Sequence, residues 1–370
     1  MGAKNAGYTK EYNRLQILRL LRQQPASRAE LSRLTGLTRA AISLIIEELI
    51  GEGMVKESTQ IADHVRGRAP VLLKLHPDGA YAVGVRLTRS QCRIGLSDFR
   101  GRLLDNTAAP LPAQANRLPA LLKEKIENLL AAHQIPREKL LGVGVATPGP
   151  VDAMAGLILN PPGFDAFHNF PIRDALQQSL GLPVYLENDA NAAALHNYMD
   201  GQFSGKDNFL LLMVDNGVGS GVIFHGKLLR NCELGHTTID YRGAKCACGN
   251  RGCLELYASV ERIQKQFPGY DSWEQLMDSG QGDDALKQQA KYLSAGIVNF
   301  TNLLPVETVL LSGQILPYCT RLAPMIRSEL HGRALALGMR EVPILPALDV
   351  PQSDLQASCS IVIGRYLNIC

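Results

Sequence analysis

The chain has 370 residues, 46% hydrophobic and 20% charged, with a formal net charge of +3. This is ordinary globular usage, and at roughly 150 residues per domain the length suits two or three domains. Disordered, fibrous and disulfide-framework proteins are excluded, and no apolar run approaches the roughly 18 residues of a membrane span.

Residues 1–14 contain no apolar stretch of the secretory type, so the expected compartment is the cytoplasm. Leu15, Leu18 and Leu21 then recur at helical spacing until Pro25 breaks the chain. Ser27 and Glu30 have the spacing of a capping box, opening a short second helix with Leu31 and Leu34 that Gly36 ends. Thr38 is the expected cap of a third helix, whose apolar face includes Ile42, Ile45, Ile46 and Leu49. Residues 54–57 and 71–75 predict a two-stranded wing around a polar loop carrying Arg66 and Arg68.

Residues 1–78 therefore predict a winged helix-turn-helix, a DNA reader whose third helix enters the major groove by its N-terminal end. That end carries Thr38, Arg39 and Ser43. Arg39 has the reach and the donors for guanine edges or a phosphate; Arg66 and Arg68 would touch backbone or minor groove. Charge agrees. Residues 1–76 hold twelve Lys+Arg against seven Asp+Glu, a surplus of +5, and the remainder sums to −2. The basic excess sits where phosphate neutralisation needs it, so double-stranded DNA is the expected partner.

From residue 81 strands alternate with helices, an α/β arrangement. Strands are expected at 81–88, 91–98, 103–109, 140–146, 184–187, 209–214, 221–224, 308–312 and 342–346. Helices are expected at 118–133, 190–199, 255–266, 284–304 and 322–337. The strand-rich blocks at 81–109 and 209–229 suggest two halves of a duplicated fold.

Eight cysteines are too few for a disulfide scaffold, but Cys246, Cys248 and Cys253 fall close together, with Cys232 nearby. With His236 they give three thiolates and one imidazole, a donor set for tetrahedral Zn²⁺ with no open position. One structural zinc per chain is expected, held in a turn rich in glycine (Gly243, Gly249, Gly252). In Glu187-Asn188-Asp189-Ala190-Asn191 a carboxylate at a strand end opens a helix. Alone, Asp189 reads as an N-cap or as a base for a hydroxyl. The run Asp215-Asn216-Gly217-Val218-Gly219-Ser220-Gly221 reads as a phosphate cradle or as a hairpin turn.

Glu233-Leu234-Gly235-His236, followed by Cys246-Ala247-Cys248-Gly249-Asn250-Arg251-Gly252-Cys253-Leu254-Glu255, resembles the signature of the ROK family of repressors and sugar kinases. Gly67-Arg68-Ala69-Pro70-Val71-Leu72-Leu73 resembles the wing of its transcriptional regulators. The resemblance covers essentially the whole chain. It implies an actin-like, ribonuclease-H-like pair of α/β lobes with a sugar cleft between them: lobe 1 at 79–188 with 352–370, lobe 2 at 189–351 with the zinc site. It also implies sugar contacts from Asn160, Asn188, Asp189, Glu233, His236 and Glu255. The function implied is sugar-responsive DNA-binding transcriptional regulation, most simply repression of carbohydrate-metabolism genes. A homodimer or homotetramer would meet the operator, with a sugar, a sugar phosphate or a sugar-transport protein as effector.

The alternative within the family is an ATP-dependent hexose or hexosamine kinase with Asp189 as its base. The family's kinases carry a DxGGT phosphate loop after the first strand, where this chain reads Arg86-Leu87-Thr88-Arg89-Ser90. The acid has become Arg86 and both glycines are gone, so backbone cannot approach phosphate closely. Leu311-Ser312-Gly313-Gln314 lacks the longer glycine run found in the kinases. The link from Gly226 to Glu233 is shorter than in most members by roughly half a dozen residues on the resemblance. No enzyme activity is expected, and Asp189 is then a vestigial base.

Overall fold

The computed structural model describes residues 6–58, 71–200, 203, 206–333 and 342–370. Arg66 and Arg68 lie outside the described residues. The N-terminal reader comprises α1 (Ala6–Gln23), β1 (Ala26–Ser27), α2 (Arg28–Thr35), α3 (Arg39–Gly51), β2 (Val55–Ser58) and β3 (Leu72–Leu75). The expected two-stranded wing has three strands, in the order β1-β3-β2, because Ala26 and Ser27 pair with Leu73 and Leu72. A two-residue strand leaves no periodicity in a sequence. The reader's core is built from Ile17, Leu18, Leu31, Ile42, Ile46 and Leu49, all fully buried.

The first α/β sheet is made of β4 (Tyr81–Leu87), β5 (Gln91–Asp98), β6 (Leu103–Pro110), β7 (Leu140–Thr147) and β10 (Val184–Asn188). Helices α4 (Leu118–Ala132) and α5 (Ile172–Leu180) bury their leucines and isoleucines against one of its faces, and the small hairpin β8 (Val151–Asp152)–β9 (Leu157–Ile158) follows β7. Then come α6 (Asp189–Met199), β11 (Phe209–Val214), β12 (Val218–Phe224) and β13 (Lys227–Leu229). The chain continues through α7 (Glu255–Ala258), α8 (Val260–Gln264), α9 (Trp273–Met277), α10 (Gly282–Thr301), β14 (Thr308–Gly313), α11 (Cys319–Leu330), β15 (Ile344–Pro346) and α12 (Ser353–Tyr366).

The two large sheets have one topology. Each is an antiparallel three-strand meander extended by two parallel crossover strands: β6-β5-β4-β7-β10 in the first, β13-β12-β11-β14-β15 in the second. The duplication expected from the two strand-rich blocks is thus a repeat of topology. By compactness, residues Met1–Ala192, Met199–Ser204 and Asp354–Cys370 form one unit and Ala193–Tyr198 with Gly205–Ser353 the other, the division falling inside α6.

Two expected helices differ. The helix at 255–266 is broken at Ser259, whose extended backbone (φ −64°, ψ 151°) separates α7 from α8. The helix expected at 322–337 begins at Cys319 and ends at Leu330, and residues 334–337 lie outside the described residues. The first three residues of the glycine-rich run 215–221 make a tight turn, and residues 219–221 are already laddered against 211–213. The run thus turns as a hairpin. Among the described residues no helix is long and apolar enough to cross a membrane.

Candidate functional site

In the reader, the Ser27 hydroxyl accepts from the Glu30 amide and the Glu30 carboxylate accepts from the Ser27 amide, closing the capping box. These bonds hold the Glu30 carboxyl below its ordinary value. Gly36 closes α2 in the left-handed region (φ 73°), which turns the chain directly into α3. Thr38 caps α3 through its Oγ1, 3.2 Å from the Ala41 amide nitrogen. Its hydroxyl hydrogen remains available at a helix end whose amides favour a phosphate. Arg39 is exposed, and no carboxylate among the described residues pairs with it; Ser43 lies one turn further and is half-buried.

The basic surplus is not free charge throughout. Lys10 pairs with Glu48 at 2.7 Å, Arg28 with Glu57 at 3.1 Å, and Arg14 with Glu52 through both guanidinium nitrogens. Among the described residues of the reader, Arg33, Arg39, Lys56 and Lys74 have no carboxylate partner. Replacing Thr38 by Ala removes the cap of α3, with an expected cost of about 1 kcal/mol in a denaturant titration.

In the first α/β unit, Asn188 and Asp189 open α6 from the end of β10. Asn188 is the cap: its Oδ1 accepts from the Asn191 amide at 2.7 Å, leaving the amide nitrogen of its side chain as the group offered outward. Asp189 is therefore not needed as the cap. Its Oδ1 accepts from the adjacent Ala190 amide at 3.0 Å, and its Oδ2 accepts from Arg86 Nη2 at 3.0 Å. Both partners are mostly buried, with side chains 15% and 24% exposed. Arg86 and Asp189, 103 positions apart in the chain, are thus each other's counter-ion. Three residues on, Arg89 donates from Nε to the Pro162 carbonyl at 2.9 Å, binding the 86–90 turn to the loop that presents Asn160. Asn160 itself is exposed.

In the second unit, Glu255 and the Glu233–His236 turn both meet the backbone of Val218. Glu255 Oε2 accepts from the Val218 amide at 3.1 Å. A Cβ on Gly235 would stand 1.9 Å from the Val218 carbonyl oxygen, so no other residue fits there. Glu233 is exposed and precedes a single helical turn, Leu234–His236. Asp215 Oδ1 accepts from the Gln314 amide at 2.8 Å, so the turn after β11 and the turn after β14 are tied to each other by a carboxylate.

The Leu234–His236 turn delivers His236 to the cysteines. One donor atom from each of His236, Cys246, Cys248 and Cys253 lies within 4.8 Å of all the others. His236 Nδ1 is 3.8 Å from Cys246 Sγ, and the sulfurs of Cys248 and Cys253 are 3.7 Å apart. The edge of a tetrahedron with ~2.3 Å metal–sulfur bonds is about 3.8 Å, so the spacing suits an ion and is far too long for a disulfide. The chain wraps this volume through backbone bonds, Cys246 N to Asn250 O (2.8 Å) and Gly249 N to Cys246 O (3.0 Å). Gly252 has φ 63° and lies so close to the Asp240 carbonyl that a Cβ would overlap it. Asn250, whose role its sequence does not announce, donates to the His236 carbonyl and to Thr238 Oγ1, both at 3.0 Å. Burial and the neighbouring thiols push Cys253 up, while the Asn250 amide draws Cys248 down. Three thiols this close ionise together only if a cation joins them. Cys232 stands apart from the cluster; its carbonyl accepts from Ser220 Oγ at 2.6 Å.

Of the six residues implied to hold sugar, Asn160, Asn188 and Asp189 lie in the first unit and Glu233, His236 and Glu255 in the second. His236 turns Nδ1 to the cysteines, which leaves Nε2 for another partner.

Residues 82–347 match the ROK family, and residues 12–57 match the model described as bacterial regulatory protein, arsR family. The chain is 28% identical to the xylose repressor of Bacillus subtilis, over 98% of this chain and 97% of that one. The crystal structure of a ROK-family transcriptional regulator, described as a homologue of the Escherichia coli Mlc protein, superimposes with a TM-score of 0.80 at 26% identity, covering 97% and 96% of the two chains. A ROK hexokinase from Thermus thermophilus matches with a TM-score of 0.65 at 28% identity, over 76% of this chain and 97% of its own. The hexokinase thus leaves about a quarter of this chain unmatched, whereas the regulator matches nearly all of it. Two same-topology α/β sheets, the Glu233–Glu255 signature and a family match across residues 82–347 agree: the chain belongs to the ROK family.

Proposed function

We propose that this chain is a DNA-binding transcriptional regulator, a repressor of sugar-metabolism genes that responds to a sugar bound by its ROK domain. The observation that carries the reading is a helix-turn-helix reader continuous with a ROK domain whose would-be base is held by Arg86. In this reading Asn160, Asn188, Asp189, Glu233, His236 and Glu255 exchange hydrogen bonds with sugar hydroxyls. Carboxylates and amides suit this task because, once a sugar covers them, a wrong epimer leaves them unpaired. Arg39 reads base edges from the N-terminal end of α3, with Thr38 and Ser43 beside it, and Arg66 and Arg68 contact the DNA from the wing.

A homodimer or homotetramer would present two readers to a two-fold operator. Sugar would favour an arrangement that no longer matches the half-site spacing. Moving such an equilibrium from 1:99 to 99:1 takes about 5.5 kcal/mol of preference for one state. A single Zn²⁺ held by His236, Cys246, Cys248 and Cys253 would be structural, since four protein ligands leave no position for a substrate. It would fix the Glu233–His236 turn and so the groups that turn offers to sugar.

Phosphoryl transfer is not expected. A base must take a hydroxyl proton in the transition state. Each oxygen of Asp189 already accepts a hydrogen bond, one of them from a guanidinium. The Gln314 amide is held by Asp215 instead of facing a phosphate. The test pairs a thermal-shift screen of D-xylose, D-glucose and N-acetylglucosamine with a coupled ATP-turnover assay on the same sugars. A ligand at 100 times its Kd adds about 2.7 kcal/mol to stability, enough to read. The expected result is a raised melting temperature without turnover. Sugar-dependent turnover that Asp189→Asn abolishes would establish a kinase instead.

A further inference from the structure

We propose that Arg19 and Arg22 are the positioning residues that couple the DNA reader to the α/β domain, so that effector binding reaches the operator through them. The inference rests on the regulatory function proposed above. Both arginines lie on α1, and both donate to backbone carbonyls far away in the chain. Arg19 grips two successive carbonyls just beyond α12, with Nε to Leu367 O at 2.6 Å and Nη2 to Asn368 O at 2.8 Å. These are carbonyls at a helix C-terminus, the negative end of its dipole, where a forked cation is favoured. Arg22 donates from Nη1 to Phe99 O at 2.9 Å, in the turn between β5 and β6. Burial lowers the Arg22 guanidinium to about 10, still charged at neutral pH. The two carbonyl sites are joined to each other, because the ring of Phe99 packs edge-on against Tyr366 at 5.7 Å.

What the arginines grip is tied to the ligand end of the sheet. Helix α12 lies against β4 and β7 backbone to backbone. A Cβ on Gly84 would meet the Cys359 nitrogen at 2.6 Å, and one on Gly144 would meet the Ser358 oxygen at 2.2 Å. With no side chain between them, helix and strands cannot slide independently without losing packing. Strand β4 carries Arg86 near its end, paired with Asp189. A ligand that repositions Asp189 and Arg86 therefore strains β4, α12 and the carbonyls that hold α1 as one body. The Arg19 fork and the single Arg22 bond carry that strain into the reader.

The test compares wild type, the double variant Arg19→Ala/Arg22→Ala and the conservative Arg19→Lys. The probe is whichever of D-xylose, D-glucose or N-acetylglucosamine raises the wild-type melting temperature. Operator affinity is measured with and without that sugar, and sugar affinity by calorimetry. Coupling energies of this kind span about 5- to 150-fold in affinity. The expected result for the double variant is sugar affinity within about threefold of wild type and operator binding retained, with the sugar's effect on operator affinity reduced to within about threefold of none. Arg19→Lys, which keeps one cationic bond, restores part of the response. A double variant that responds to sugar as wild type does overturns the coupling role alone. So does one that loses sugar binding and operator binding together, which marks a merely structural role. A wild type that binds operator but answers none of the sugars overturns the regulatory reading and the coupling with it.

Discussion

Cys248→Ser is expected to lower bound zinc from about one ion per chain to a small fraction of that, as measured by elemental analysis, and to destabilise the second unit. Structural zinc carries roughly 10–16 kcal/mol of apparent binding free energy in small modules. Here the unit also has a large apolar core around Leu210, Leu212, Leu293 and Ile297, so the metal does not carry the fold alone. The expected loss is therefore smaller, on the order of 4 kcal/mol, at the upper end for a single substitution. Cys248 is the informative position because its side chain is exposed, so replacing it leaves no cavity. Chelation of the wild type should reproduce the effect. Acid should do so as well, since the ion needs three thiolates and a neutral imidazole and protons compete for all four. Zinc retention is thus expected to be complete at neutral pH and to fall as the pH drops. A metal-free wild type of unchanged stability would remove the site.

Arg39→Ala is expected to cost about 1–3 kcal/mol of discrimination between operator and unrelated DNA, a loss of roughly 5- to 150-fold in the specificity ratio. Stability should stay within about 0.5 kcal/mol of wild type, because an exposed side chain with no ion pair among the described residues supports no packing. Arg68→Ala, in the wing, should weaken all DNA alike and reduce the salt slope by about one unit. The pair separates base reading from phosphate contact. If neither substitution changes the specificity ratio or the salt slope, α3 does not face the groove.

Local chemistry was readable in the chain wherever it is written within a few residues. The Ser27–Glu30 box, the Gly36 stop and the Thr38 cap define two helices and the turn between them, and the structure has all three. The His236–Cys253 spacing likewise predicts a cluster that four atoms then form. What was hidden depends on contacts between distant segments. Arg86 stands out in sequence as a missing acid, but nothing local says that it reaches Asp189. The charge surplus of the reader was legible as a sum and not as a distribution. Lys10, Arg14 and Arg28 are paired with glutamates, and Arg19 and Arg22 with carbonyls of the α/β domain. The break at Ser259 was masked because 255–266 keeps helical polarity on both sides of it. That the glycine-rich run 215–221 turns as a hairpin depends on the pairing of residues 219–221 with β11, which composition alone does not show.

Under the proposed function, three features separate this chain from a phosphoryl-transfer site: the guanidinium at Asp189, the side chains of Thr88 and Arg89 where a phosphate loop needs glycine, and the Asp215 carboxylate on the Gln314 amide. Each is a substitution or a contact of one residue, and none disturbs the sheet that carries it. In that reading sugar contacts would persist without phosphoryl transfer, which is what a sensor built on a kinase scaffold requires.

The most direct test of the account is a gel-shift titration of the full chain on its own upstream DNA at low salt, with and without the sugar that raises its melting temperature. The account predicts saturable binding that competitor DNA of unrelated sequence does not displace, weakened at least tenfold by the sugar. Failure to bind any DNA at low salt would contradict it.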